Sequence, residues 1–186
     1  MKIYELLNPE KEYLKGKKAF IFDMDGTLID SMEYWRSTAD SFDALLQLLF
    51  EKYNTTIVPK PNAMEFLKYL HENKVPVCLA TDTPRKLSEG FFKRFDFDSL
   101  IDAYVDSDDI GMYKSQTCEI YLRAAALLGV KPEECVVFED NKSSVYSALR
   151  AGMDVVAVFD EQNAENESEL RKVCVDYIYD MKEMMK

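Results

Sequence analysis

Histidine is almost missing: His71 is the single one in 186 residues. That excludes a multi-histidine metal centre, so any bound metal must be held by oxygen, the ligand chemistry of Mg²⁺. Cysteine is sparse too, and Cys78, Cys118, Cys135 and Cys174 lie far apart. They offer no close pair of the kind that builds a zinc site or a redox dithiol. Cys78 and Cys135 sit inside apolar runs, where cysteine acts as a small buried hydrophobe, so reduced thiols are expected. Positive charge is in deficit, with 23 Lys and Arg against 34 Asp and Glu and a net charge of −11. Nucleic acid or an anionic membrane surface would need a basic stripe that this balance does not supply. Apolar runs are short. The nearest approach to a membrane span, residues 45–50, is broken by Gln47 and falls well below the roughly 18 residues required. Residues 1–18 mix charges without a continuous apolar stretch, which argues against a signal peptide. The expectation is a cytoplasmic protein with no nucleic-acid and no membrane partner.

What is present is apolar material for a core, at 47% hydrophobic and 12% aromatic residues. The length suits one domain with a small insert. Short apolar runs at 18–23, 76–81, 103–105, 135–139 and 155–159, and one near Tyr177, alternate with segments of helical period. That alternation predicts an α/β fold, a doubly wound (Rossmann-like) parallel sheet with helices on both faces. Asn62 reads as a helix cap, Thr83-Pro84 as a cap and first helical residue, and Ser115 as a helix start closed by Gly129. Ser143 or Ser144 opens a further helix ended by Gly152. Trp35, Ala39, Phe42, Leu46, Leu49 and Tyr53 recur at steps of four and three, predicting one amphipathic helix over 32–53 beside the carboxyl ends of the strands. Residues 160–169 read as a solvated acidic loop. The division expected is a leader at 1–16 with no evident task, a core at 17–30 and 61–186, and a small helical cap insert at 31–60.

The chemistry concentrates where the first apolar run ends, in Phe22-Asp23-Met24-Asp25-Gly26-Thr27. Ligands of open parallel sheets bind at the carboxyl ends of the strands, which puts Asp23 and Asp25 in the crevice. An Asp-x-Asp-Gly taken alone is equally an ordinary turn. With the preceding strand and Thr27, however, the string resembles the first signature of the haloacid dehalogenase superfamily. Three further places match in order: Ala80-Thr81 ends the second run, Lys114 precedes the next helix, and residues 135–140 end a strand in Glu139-Asp140. The resemblance is nearest to the β-phosphoglucomutase-like phosphatases. It implies a Mg²⁺-dependent phosphoric monoester hydrolase acting on a small phosphorylated metabolite.

The resemblance also implies roles. Asp23 is the nucleophile that forms an aspartyl-phosphate, and Asp25 passes protons to and from the reacting oxygens. Thr81 and Lys114 clamp the phosphoryl oxygens. Mg²⁺ is held by Asp23, Asp140 and the Asp25 carbonyl, with Glu139 as a further or water-mediated ligand. Three departures from the pattern stand out. Ser115-Gln116-Thr117 replaces a proline-containing stretch, Ser144 stands where glycine is common, and Asp82 brings a carboxylate towards the phosphate. The insert is much shorter than the helical lid usual in such relatives. A short lid favours hydrolysis over the alternative of a sugar-phosphate mutase, and leaves room for a monomer or a homodimer through the cap helix. A non-catalytic phospholigand- or partner-binding module is a third reading, disfavoured because every expected catalytic position is filled.

Overall fold

The computed structural model describes residues 2–186; Met1, part of the expected leader, lies outside the described residues. Six strands form one sheet: β1 (Ala19–Phe22), β2 (Val77–Thr81), β3 (Ala103–Asp106), β4 (Cys135–Glu139), β5 (Asp154–Val158) and β6 (Asp176–Ile178). Their order is β3-β2-β1-β4-β5-β6 and every pairing is parallel. The order reverses at β1, whose neighbours are β2 and β4, so the crevice at a topological switch point opens where β1 and β4 end. The expected doubly wound sheet is what forms, because runs apolar on both sides are stable only when covered on both.

The two faces take alternate residues of each strand. Phe20, Phe22, Leu79, Phe138 and Val156 face one layer, and Ala19, Ile21, Ala80, Val137 and Val155 the other. The first face is aromatic: Phe22 and Phe138 stack at 4.6 Å, with Phe20 and Phe66 edge-on against them and tilted against each other. It is covered by α3 (Phe42–Thr55), α4 (Ala63–Glu72) and α5 (Arg85–Phe95). The second face, of smaller residues, takes α7 (Glu119–Leu127), α8 (Lys142–Arg150) and α9 (Glu167–Val173).

The insert departs from the expected single helix. It forms α2 (Met32–Trp35) and α3, separated by residues 36–41. Residues 37–41 are Ser-Thr-Ala-Asp-Ser, whose side chains compete for the backbone. Ser37 donates its hydroxyl to the Tyr34 carbonyl, and Ser41 caps α3 by accepting from the Ala44 N–H at 3.1 Å. The apolar stripe divides accordingly: Leu49 and Tyr53 are buried, whereas Phe42 and Phe50 are exposed. α3 lies directly on α5, where a Cβ on Gly90 would meet the Asn54 side chain at 2.1 Å. The stems of the insert pair across the sheet end, through Asp30 N–H to Val58 O and Lys60 N–H to Leu28 O, both 2.9 Å.

Asn62 stands at the N-cap of α4 as expected, but with a left-handed φ of 59° and with its side chain given to Asp180 instead of the helix. Other starts shift by one to four residues. α5 begins after Pro84, and Thr83 serves elsewhere. Ser115 does not open α7; a turn precedes it, and α6 (Ser107–Ile110) stands between β3 and that turn. Asn141, not Ser143 or Ser144, caps α8. The leader also has a structural place. Its α1 (Ile3–Leu6) and Leu14 join the aromatic core layer, while Lys11 and Tyr13 bond Asp176 of the edge strand at 2.6 and 2.9 Å. Residues 160–169 are not simply solvated, for Asp160 and Asn163 are buried.

Candidate active site

Asp23 leaves β1 with its N–H on the Phe138 carbonyl at 3.0 Å, which sets it beside the end of β4. Glu139 closes β4 and Asp140 follows, so the crossing of two adjacent strands brings three buried carboxylates together. One oxygen from each of Asp23, Glu139 and Asp140 lies within 4.8 Å of the others. Lys114 enters the same space, buried, with Nζ donating to Asp23 Oδ1 and Glu139 Oε1 and to the Ala80 carbonyl at 3.3 Å. Glu139 is further held by the Tyr121 hydroxyl on Oε1 and the Asn141 N–H on Oε2, both 3.0 Å. Asp140 accepts from Thr27 Oγ1 at 3.0 Å and from Asn163 Nδ2. Gly26, at φ +86°, lets the turn press on this carboxylate, since a Cβ there would lie 2.4 Å from Asp140 Oδ2.

Electrostatics at this end of the site are unbalanced. Burial pushes the Asp23 carboxyl well up from its usual range, Lys114 pulls it back, and Glu139 and Asp140 add to the rise. Burial and then Glu139 push Asp140 up to about 7. For Lys114, burial works against the charge, but Asp23 and Glu139 outweigh it and hold the ammonium well above its ordinary value. Three carboxylates against one ammonium leave an excess of negative charge in a dry place. A divalent cation on hard oxygen donors removes such an excess, so the donor set fits Mg²⁺.

Asp25 has different company. Ser31 donates to Oδ1 at 2.6 Å, Tyr53 donates to the same oxygen, and Thr83 Oγ1 donates to Oδ2 at 2.7 Å. Tyr53 in turn accepts from the indole N–H of Trp35 at 3.0 Å. Thr81, buried at the end of β2, accepts the Thr83 N–H at 3.1 Å. Asp82 does not simply oppose a phosphate. One of its oxygens accepts the Lys114 N–H at 2.9 Å, and Ser147 bonds the Lys114 carbonyl, so both hold the turn that carries Lys114.

The structure therefore gathers Asp23, Asp25, Thr81, Lys114, Glu139 and Asp140 at one end of the sheet. Sequence reasoning missed Ser31, Tyr53, Thr83, Tyr121 and Asn163. Thr83 and Asn163 carried a signal, one just past the end of β2 and the other three residues after the Asp160 that follows the fifth apolar run. Tyr53 read only as an apolar stripe position and Tyr121 carried no reading of its own, and nothing local shows where a phenol's hydroxyl will point.

Sheet order, switch point and a lysine-bridged set of acids define an α/β protein with an acidic crevice at the ends of its central strands. The chain belongs to the haloacid dehalogenase-like hydrolases: the model of that family matches residues 48–152, more than half of the chain. Among individual proteins, it is 28% identical over 179 residues to the phosphorylated carbohydrates phosphatase of Thermotoga maritima, spanning 74% of this chain and 82% of the relative. It is 25% identical over 180 residues to hexitol phosphatase A of Escherichia coli, spanning 76% and 82%. The fold is similar to that of β-phosphoglucomutase from Clostridium difficile, with a TM-score of 0.66 at 18% identity over 89% of this chain and 92% of the other. Among the described residues, no helix is long and apolar enough to cross a membrane.

Proposed function

We propose that this protein is a Mg²⁺-dependent phosphatase for small phosphomonoesters, working through an aspartyl-phosphate on Asp23. The observation that carries the reading is the buried ammonium of Lys114 bridging Asp23 and Glu139 beside Asp140. The phosphatase relatives support the reaction class.

In this reading an Asp23 oxygen forms a bond to phosphorus as the ester oxygen leaves. Asp25 gives that oxygen its proton, then takes one from the water that cleaves the acyl phosphate, releasing inorganic phosphate and restoring both carboxyls. Thr81 and Lys114 orient the phosphoryl oxygens, and burial keeps bulk water from the reacting centre. Asp23, Asp140 and the Asp25 carbonyl would hold Mg²⁺. Glu139, whose oxygens already accept from Lys114, Tyr121 and Asn141, suits a water-mediated place. When bound, the ion supplies neutralisation of the charge that builds on the phosphoryl oxygens.

The test is a screen of phosphorylated sugars, polyols and nucleotides with Mg²⁺ and again with excess chelator. Phosphate release that needs Mg²⁺ is expected. Unchanged turnover in chelator would overturn the metal assignment, and no release from any ester would overturn the phosphatase reading.

A further inference from the structure

We infer that the insert acts as a fixed strut, with Tyr53 a positioning residue that aims the Asp25 carboxyl; this rests on the proposed phosphatase reading. The insert resembles a lid only in its place along the chain. Tyr53 is fully buried on α3, and α3 is clamped to α5 by the close approach at Gly90. Arg94 of α5 fastens the C-terminal end of α3, donating to the carbonyls of Tyr53 and, just past the helix, of Ile57 at 3.1 and 3.0 Å. An element anchored in this way does not open and close with each turnover. The same end, through the Tyr53 hydroxyl, reaches the reacting end of the sheet.

The geometry there divides the two oxygens of Asp25. Oδ1 receives two hydroxyl donors, Ser31 and Tyr53, whereas Oδ2 receives Thr83 alone. With Oδ1 saturated, Oδ2 keeps the open lone pair and is the oxygen that exchanges a proton with the ester oxygen. Trp35 holds the phenol in turn, so its hydrogen points at Asp25. Removing the Tyr53 hydroxyl leaves Ser31 as the one donor on Oδ1, so the carboxyl turns more easily about its Cβ–Cγ bond and loses part of its aim.

The experiment compares Tyr53→Phe with wild type on an alkyl phosphate, whose leaving group needs a proton, and on dinitrophenyl phosphate, whose leaving group does not. Expected is a fall in kcat of about tenfold on the alkyl ester with KM little changed, within the range of general-acid contributions. On the aryl ester kcat/KM, which reports only the formation of the aspartyl-phosphate, stays within about twofold, whereas kcat falls wherever the later hydrolysis, which also uses Asp25, limits turnover. In an Asp25→Asn background the same substitution changes kcat by no more than about twofold. Phe50→Ser, exposed on the same helix, is the control. Equal losses of kcat/KM on both esters, a KM effect alone, or a full loss on top of Asp25→Asn would overturn the strut and leave the phosphatase reading standing. If wild type cleaves no ester, that reading falls, and the strut is still read in the indole N–H resonance of Trp35, the sole tryptophan. Asp25→Asn shifts that resonance if Trp35, Tyr53 and Asp25 are linked, and leaves it in place if they are not.

Discussion

Asp23 and Asp25 stand two residues apart on one turn and live in different media. Asp23 is buried among charges, facing Lys114 and two other carboxylates. Asp25 is half-buried in a ring of neutral hydroxyls from Ser31, Tyr53 and Thr83. In the proposed mechanism this difference divides the work: a group beside fixed positive charge suits bond formation at phosphorus, and one among hydroxyls suits passing protons. The β-strand geometry makes the split possible. Asp23 continues from β1 towards β4, whereas Asp25 lies in the turn that the insert overhangs.

The sharpest way to break this comparison is to neutralise each side separately. Asp23→Asn is expected to abolish turnover and any trapped covalent phosphate, a loss of at least about a thousandfold. Asp25→Asn should slow turnover by about 10²–10⁴-fold while phosphate-analogue binding stays near wild type. Calorimetric titration with a phosphate analogue separates the two; equal loss of binding in both would erase the distinction.

Next in size is the charge side alone. Lys114→Met strands two buried carboxylates, and a broken buried pair costs about 3–5 kcal/mol. A denaturant midpoint measured without metal should fall accordingly, and the double variant Lys114→Met/Glu139→Gln should recover part of the loss. No recovery would show that packing, not charge, holds Lys114.

The smallest effect lies away from the crevice. Burial pushes the thiols of Cys78, Cys135 and Cys174 up to about 12, 11 and 12. Folded pKa values raised above the unfolded value near 9 give stability that is complete below pH 9 and lost as pH climbs through the folded values. Unfolding midpoints should therefore fall as pH rises from about 9 towards 12, less so in Cys78→Ala. Alkylation at pH 8 should be slow at these three until denaturant is added. Fast labelling of folded Cys78 would contradict its burial.

The chain itself determined the sheet, because runs such as Phe20-Ile21-Phe22 and Val136-Val137-Phe138 are apolar at every position and demand cover on both faces. It also determined the acids, since Asp23, Glu139 and Asp140 directly follow or end those runs, where a parallel sheet presents its ligands. Local pattern could not settle the insert. The period of four and three from Trp35 to Tyr53 is helical throughout, yet the Ser-Thr-Ala-Asp-Ser run breaks it by capping instead of continuing. Nor could it show that residues 160–169 send Asn163 to Asp140, or that Asp82 holds the turn of Lys114. Those are contacts across 23 and 32 residues. Only the tertiary structure decided them. A hydroxyl, amide or carboxylate has many partners within reach in an unfolded chain, and the packing of one helix on another selects which it keeps. Tyr53 shows the reason: its ring is held by the same apolar stripe that any helix would bury, and its hydroxyl finds Asp25 because Gly90 lets α3 lie close enough on α5.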